Sequence, residues 1–249
     1  MMKKKKRKFV PEVMTSFREK SLVKTPSVIR EASGIRIYNR RIKSFLFSTD
    51  VATITYSDAD AILAVYPQSP HPSIIEAITT VASQPVIAGV GGGMTSGMRS
   101  SFVAQFAEAR GVSGVVVNSP TPIDTIALLK KNIDCPIIVT VSSFYEDVPG
   151  KIKAGADILN VAFGPKTPEL VGYLRKKYPK FPIIATGGPN DETILEAIRA
   201  GANAISWKPP TNAEVFAVKM KQYRSDSRQD FLDTHDGMTL YEYEAQKDK

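Results

Sequence analysis

Short aliphatic runs recur eight times along this chain, with helical periodicity between most of them. The runs cover residues 44–49, 61–66, 86–90, 114–118, 137–142, 158–162, 183–186 and 204–208. Apolar runs of that length, rich in Val and Ile and bounded by Gly, Pro and Asn, read as strands buried on both faces. Amphipathic helices are predicted over 73–82, 99–109, 123–131, 169–177 and 192–200. The first crossover, 51–60, is the shortest. Strands alternating with helices imply a parallel sheet. Eight units at near-regular spacing favour its closure into a single-domain α/β (β/α)8 TIM barrel over an open doubly wound sheet.

The 249 residues are 43% hydrophobic and 23% charged, enough for one large core. No apolar run approaches the roughly 20 residues of a membrane helix, and no secretory h-region follows the charged N-terminus. A single cysteine, Cys135, excludes an internal disulfide and a cysteine-rich metal site. The expectation is a cytoplasmic protein with no membrane partner. Of the net charge of +8, six units lie between Lys3 and Lys8, leaving +2 elsewhere. Blocks of like charge stay solvated, and no aromatic residues interleave to stack bases. Residues 1–22 therefore read as a basic disordered tail, not a nucleic-acid arm, with Met14 a second possible start. Residues 23–43 form an extension: a short helix, then a hairpin turning at Asn39. The barrel spans 44–224, and 225–249 read as a polar tail or an arm onto a neighbouring subunit of a homo-oligomer.

In a barrel of this kind chemistry belongs at the C-terminal strand ends. Residues two apart share a side of a strand, and one parity gathers small and polar groups: Ser48/Asp50, Ala64/Tyr66, Val116/Asn118, Thr140/Ser142, Asn160/Ala162 and Ser206/Lys208. The other parity, with Phe47, Val65, Val117, Val141, Val161 and Ile205, suits the helix-facing side. An inert barrel would fill its lumen with aliphatic residues, so the polar set marks a candidate site. Asp50 and Lys208 come together only if the first and last strands pair. Asp50 then serves as a general base, or orients a Lys208 that stabilises an anion or enolate. A structural ion pair at the seam is the alternative. Asn118 and Asn160 are candidates to bind a carbonyl or hydroxyl. His71, in the loop after the second strand, is a candidate general acid or a solvated side chain.

Two glycine turns stand on the same face. Thr186-Gly187-Gly188 ends the seventh strand, and a helix opens behind a capping Asn190. Backbone N–H groups at such a turn can surround an anion. Gly91, Gly92 and Gly93 follow the third strand as an anion cradle, a lid hinge or a plain flexible loop. No cluster has metal-ligand spacing, so no protein metal site is expected and no cofactor is required, although one carboxylate with substrate can hold Mg2+.

Ala154-Gly155-Ala156-Asp157-Ile158-Leu159-Asn160, Ala185-Thr186-Gly187-Gly188 and Ala200-Gly201-Ala202-Asn203-Ala204-Ile205 resemble the ribulose-phosphate-binding group of barrels over roughly 44–212. More closely, the chain looks like bacterial barrel proteins that carry a hydrolase label without a mechanism. The resemblance implies a phosphate held after the seventh and eighth strands. Gly187 and Gly188 match the first turn; Pro209 and Pro210, which supply no N–H, depart from the second. The expectation is an enzyme of lyase or isomerase type. It would act on a small anionic, phosphorylated carbonyl or sugar-like metabolite by acid–base or enolate chemistry. An FMN-dependent oxidoreductase and a non-catalytic metabolite-binding barrel are the alternatives.

Overall fold

The computed structural model describes Phe9 and residues 11–247; the basic run lies outside the described residues. Before the barrel come a six-residue helix, α1 (Ser16–Ser21), inside the stretch expected to be disordered, and a 3-10 turn at Ser27–Glu31. The hairpin of β1 (Ile35–Ile37) and β2 (Arg40–Ile42) follows. Its turn residues Tyr38 and Asn39 both have positive φ, 43° and 66°. A two-residue hairpin turn that matches strand twist needs that left-handed pair.

Eight parallel strands then close into a barrel. They are β3 (Ser44–Phe47), β4 (Ala61–Ala64), β5 (Val86–Gly91), β6 (Gly114–Val117), β7 (Ile137–Val141), β8 (Ile158–Val161), β9 (Ile183–Thr186) and β10 (Ala204–Trp207). The seam is β10 against β3, with Ile205, Ser206 and Trp207 opposite Ser44, Phe45 and Leu46. Phe45, Ala61, Leu63, Ile87, Val116, Ile138, Ile158, Ile184 and Ala204, taken from all eight strands, form the interior core. Ile35, Ile37 and Ile42 of the hairpin join that cluster, so the extension closes the N-terminal end of the lumen. Leu46, Ile62, Val115, Val117, Val139, Leu159 and Ile205 face the helical layer.

That layer comprises α2 (Val51–Thr55), α3 (Pro72–Val81), α4 (Gly97–Ala109), α5 (Ile123–Asn132), α6 (Val148–Lys153), α7 (Thr167–Lys177) and α8 (Asp191–Arg199). Caps set several starts. Asn190 Oδ1 accepts from Thr193 N at 3.0 Å, as its place before α8 predicts, and Asp147 Oδ1 accepts from Gly150 N at 2.9 Å. The second cap nucleates α6, a helix that periodicity alone does not announce because it contains Pro149 and Gly150. From Pro210 onwards the chain forms a second compact unit. It holds α9 (Asn212–Thr234), begun by a Thr211–Glu214 capping box, and α10 (Leu240–Lys247). The helix α9 runs unbroken through residue 225, where the repeat ends in sequence. Phe231 stacks on His235 at 4.0 Å and meets Tyr243 edge-on at 5.8 Å, joining the two helices. Among the described residues no helix is long and apolar enough to cross a membrane.

Arg175 of α7 clamps the N-terminal side of β9 and β10. It donates to the carbonyls of Pro179 (3.0 Å), Phe181 (2.9 Å) and Gly201 (2.9 Å) and to Asn203 Oδ1 (2.6 Å), which also accepts from Ile183 N. Removing a charged donor from several half-buried acceptors costs about 3 kcal/mol. Arg175→Met is expected to lose that much stability in urea unfolding; a loss below about 1 kcal/mol would show the clamp to be inert.

Candidate functional site

The C-terminal mouth of the barrel carries the polar strand ends. On the lumen parity stand Asn118, Thr140, Ser142, Asn160, Thr186, Ser206 and Lys208, in register with interior residues of β6 to β10. Two strands depart from the sequence expectation. In β3, Phe45 is interior and Leu46 faces the helices, so Phe47 takes the lumen parity and Ser48 the outer one. In β4, Leu63 is interior and Val65 packs against the interior cluster, so Ala64 and Tyr66 take the outer parity. Both parities of these two short runs are apolar or mixed, so pattern does not choose between them. In the adjoining β5, which carries Gly89 and Gly91, a Cβ on Gly89 would lie 3.0 Å from Ala64 O and 3.6 Å from Val65 Cγ2, so Val65 fills space beside that glycine.

Beside these glycines is a cleft of about 100 Å3, lined by Tyr66, Gln68, Pro70, Gly91–Gly93, Thr95 and Asn118. Gly91 and Gly92 are close-approach positions. A Cβ there would stand 2.5 Å from Ser100 Oγ and 3.1 Å from Asn118 Cβ, and Gly92 N donates to Thr95 O at 2.8 Å. Gly93 is open to the cleft and exposed. In the second turn, Gly187 packs against Ile205 and its N–H donates to Ser206 O at 2.7 Å, within the sheet. Gly188 packs on Thr193, and Thr186 is exposed. Packing alone therefore accounts for four of these glycines.

Seam closure brings the strands of Asp50 and Lys208 together, but Asp50 acts as the N-cap of α2, its Oδ1 accepting from Thr53 N at 2.7 Å. Lys208 is exposed at the end of β10. His71 is exposed and caps α3, with Nδ1 accepting from Ser73 N at 3.2 Å. Its backbone N–H donates to Tyr66 Oη at 2.7 Å; burial raises the Tyr66 phenol above its ordinary pKa, with that bond opposing. Asn160 is 6% exposed. Its Nδ2 donates to Thr140 Oγ1 at 3.2 Å, whereas its buried Oδ1 has no partner among the described residues. A buried carbonyl oxygen left so costs about 1–3 kcal/mol.

Next to this pair lies a polar network that the sequence pattern does not announce. Lys151 of α6, 5% exposed, ion-pairs with Glu146 Oε2 and donates to the carbonyls of Ser119 (3.0 Å) and Thr140 (3.1 Å). Glu146 Oε1 accepts from Ser142 N at 2.6 Å and Ser119 Oγ at 2.8 Å, and Ser142 Oγ donates to Ser119 Oγ at 2.8 Å. Burial pushes the Glu146 carboxyl up; Lys151 and the Ser142 and Ser119 donors outweigh it and hold it below the usual carboxylate range. The only sequence trace is an acid and a base flanking the Asp147-Val148-Pro149-Gly150 turn. Cys135 is inert: burial, with Glu108 adding to it, pushes its thiol up to about 12.

No protein-family model and no curated protein matches the sequence. Solved structures do share the fold. A phosphonopyruvate hydrolase in complex with oxalate and Mg2+ matches at 15% identity and TM-score 0.56, over 88% of this chain and 94% of that one. A 2,3-dimethylmalate lyase, a member of the PEP mutase/isocitrate lyase superfamily, matches at 13% and 0.54, over 92% and 90%. The 4-hydroxy-tetrahydrodipicolinate synthase of Methylacidiphilum fumariolicum SolV matches at 15% and 0.54, over 66% and 67%. At such identities the likeness shows the (β/α)8 barrel and nothing finer. Mg2+ at this mouth would need one carboxylate acting together with substrate. Among the described residues no three His, Cys, Asp or Glu side chains cluster, and Asp50, Asp147 and Glu146 are engaged by two helix caps and an ion pair. At the last two turns Gly187 N is bonded within the sheet and Pro209 and Pro210 have no N–H, which leaves few backbone donors for a flavin phosphate.

A carboxyl whose folded-state pKa is depressed stabilises the fold above its unfolded value and loses that contribution as pH falls through the folded value. Urea unfolding is therefore expected to show stability falling as pH drops below the normal glutamate range. Glu146→Gln should remove this component and cost about 3 kcal/mol at neutral pH, because Lys151 is left buried and unpaired. An acid limb unchanged in Glu146→Gln would detach the network from stability.

Proposed function

We propose that this chain is an enzyme of small anionic carbonyl metabolites, bearing carboxylate or phosphate, that moves a proton through an enol or enolate as lyases and isomerases do. The observation that carries the reading is Asn160, buried at the mouth with an unpartnered Oδ1 beside the Thr140 hydroxyl. A substrate hydroxyl or enol O–H donating to Oδ1 satisfies the orphan acceptor. Asn118, lining the cleft, donates to the substrate carbonyl. Lys208 neutralises the anionic group and the charge that develops on the enolate oxygen. Asp50, held by its cap on α2 in the loop next to β10, is the proton acceptor in this reading. For a phosphate-bearing substrate, Gly188 supplies backbone at the turn that matches the ribulose-phosphate-binding group, and Gly93 supplies it from the separate turn after β5. The names of the phosphonopyruvate hydrolase and the 2,3-dimethylmalate lyase, both specifying small anionic substrates, weigh in the same direction.

Oxalate, a planar dianion shaped like a pyruvate enolate, is the first probe. Calorimetry should detect its binding in metal-free buffer. Lys208→Ala should weaken it about ten-fold, or about 1.4 kcal/mol for one lost charge-assisted contact. Solvent deuterium uptake into pyruvate or 2-oxobutyrate, followed by NMR, should be catalysed by the native chain and lost in Asp50→Asn. Equal oxalate affinity in Lys208→Ala would remove that residue from the site. Binding without any exchange would instead mark a metabolite sensor.

A further inference from the structure

Helix α4 buries Val103, Ala104 and Ala107 together with Ser100 and Ser101, while Met98 is 70% and Phe102 66% exposed, one turn apart on the outer face. Met94, in the glycine loop before the helix, is 75% exposed. Burying a Met or Phe side chain is worth about 1.5–3 kcal/mol. Leaving Met98 and Phe102 in solvent forgoes that stabilisation on the outer face. Scattered exposed apolar residues need no explanation, but a contiguous patch marks a surface that meets a ligand or partner.

The patch is concave. Ser69, Pro70, Thr95, Met98, Arg99, Phe102 and Val103 line a groove of about 490 Å3, with buried Val103 among its walls. Pro70 and Thr95 also line the cleft at the mouth, so the two hollows share a wall. Arg99 stands among the apolar side chains and has no ion pair among the described residues. It also occupies the first turn of α4, where Ser96 provides no side-chain cap and Gly97 N donates to Thr125 Oγ1 at 2.9 Å. The positive end of a helix repels a cation at that position. An anion seated beside Arg99 relieves that repulsion and pairs the guanidinium.

From the apolar walls, the single cation and the helix polarity together, we infer that this groove binds an anionic amphiphile: an aliphatic carboxylate of medium chain length. Its carboxylate pairs with Arg99 at the start of α4, and its chain lies over Met98, Phe102, Val103 and Pro70. The site is separate from the polar strand ends and stands whether or not the reading of the mouth does.

Octanoate is the probe, with butyrate and octylamine as controls, titrated into the full-length protein by calorimetry. The expected result is octanoate binding at least ten-fold tighter than either control. Arg99→Gln and Phe102→Ser should each weaken it five-fold or more without lowering Tm, since both side chains are solvent-exposed. Oxalate titrated into Phe102→Ser reads the mouth independently and should be unaffected. The assignment is overturned if octanoate does not bind, if octylamine binds as well, or if both variants bind octanoate like the native chain. It is equally overturned if light scattering shows a dimer that Phe102→Ser converts to monomer, because the patch would then be covered by a second copy.

Discussion

The pairing of β10 with β3 is the constraint on which the remaining structure depends. Until those edges meet, each presents unpaired backbone groups. Once they meet, every strand has two neighbours and two distinct faces. Alternate residues must then enter either an interior of fixed cross-section or the helical layer. The interior is filled by one or two residues from each strand and sealed at its N-terminal end by three isoleucines of the hairpin. At the opposite, C-terminal mouth the polar strand ends of β6 to β10 collect.

The electrostatic character of the mouth follows from what its carboxylates already do. Asp50 and Asp147 cap helices, and Glu146 is bound by Lys151 and two serines. Amides, hydroxyls and Lys208 stand beside them, a set that suits an anion with a carbonyl or hydroxyl group. The Glu146–Lys151 pair joins the loops after β6 and β7 to α6. It thereby holds the residues next to Asn118 and Thr140 in one arrangement.

Much of this was legible in the chain itself. All eight barrel strands begin where the aliphatic runs begin, because burial on both faces demands continuous apolar stretches. The Asn39 turn and the Asn190 cap were readable because left-handed and capping conformations select few residue types. Side-chain direction in β3 and β4 was not readable. Both parities of those short runs are apolar or mixed, so only the closed barrel shows which one faces inward. The Glu146–Lys151 network was equally hidden: an acid and a base five residues apart have no distinctive period, and only the fold carries Ser119 to them. Nor does helical periodicity reveal that α4 buries two serines beside Val103, Ala104 and Ala107 while leaving Met98 and Phe102 exposed.

Sequence alone determined the eight barrel strands, their order and the five longest helices between them, because these rest on local periodicity, turn stereochemistry and chain connectivity. Tertiary structure decided which carboxylates are already engaged, which glycines serve packing, and that Asn160 keeps a buried oxygen unsatisfied. Those properties depend on distances between residues remote in the chain, and such distances exist only after the ring has closed.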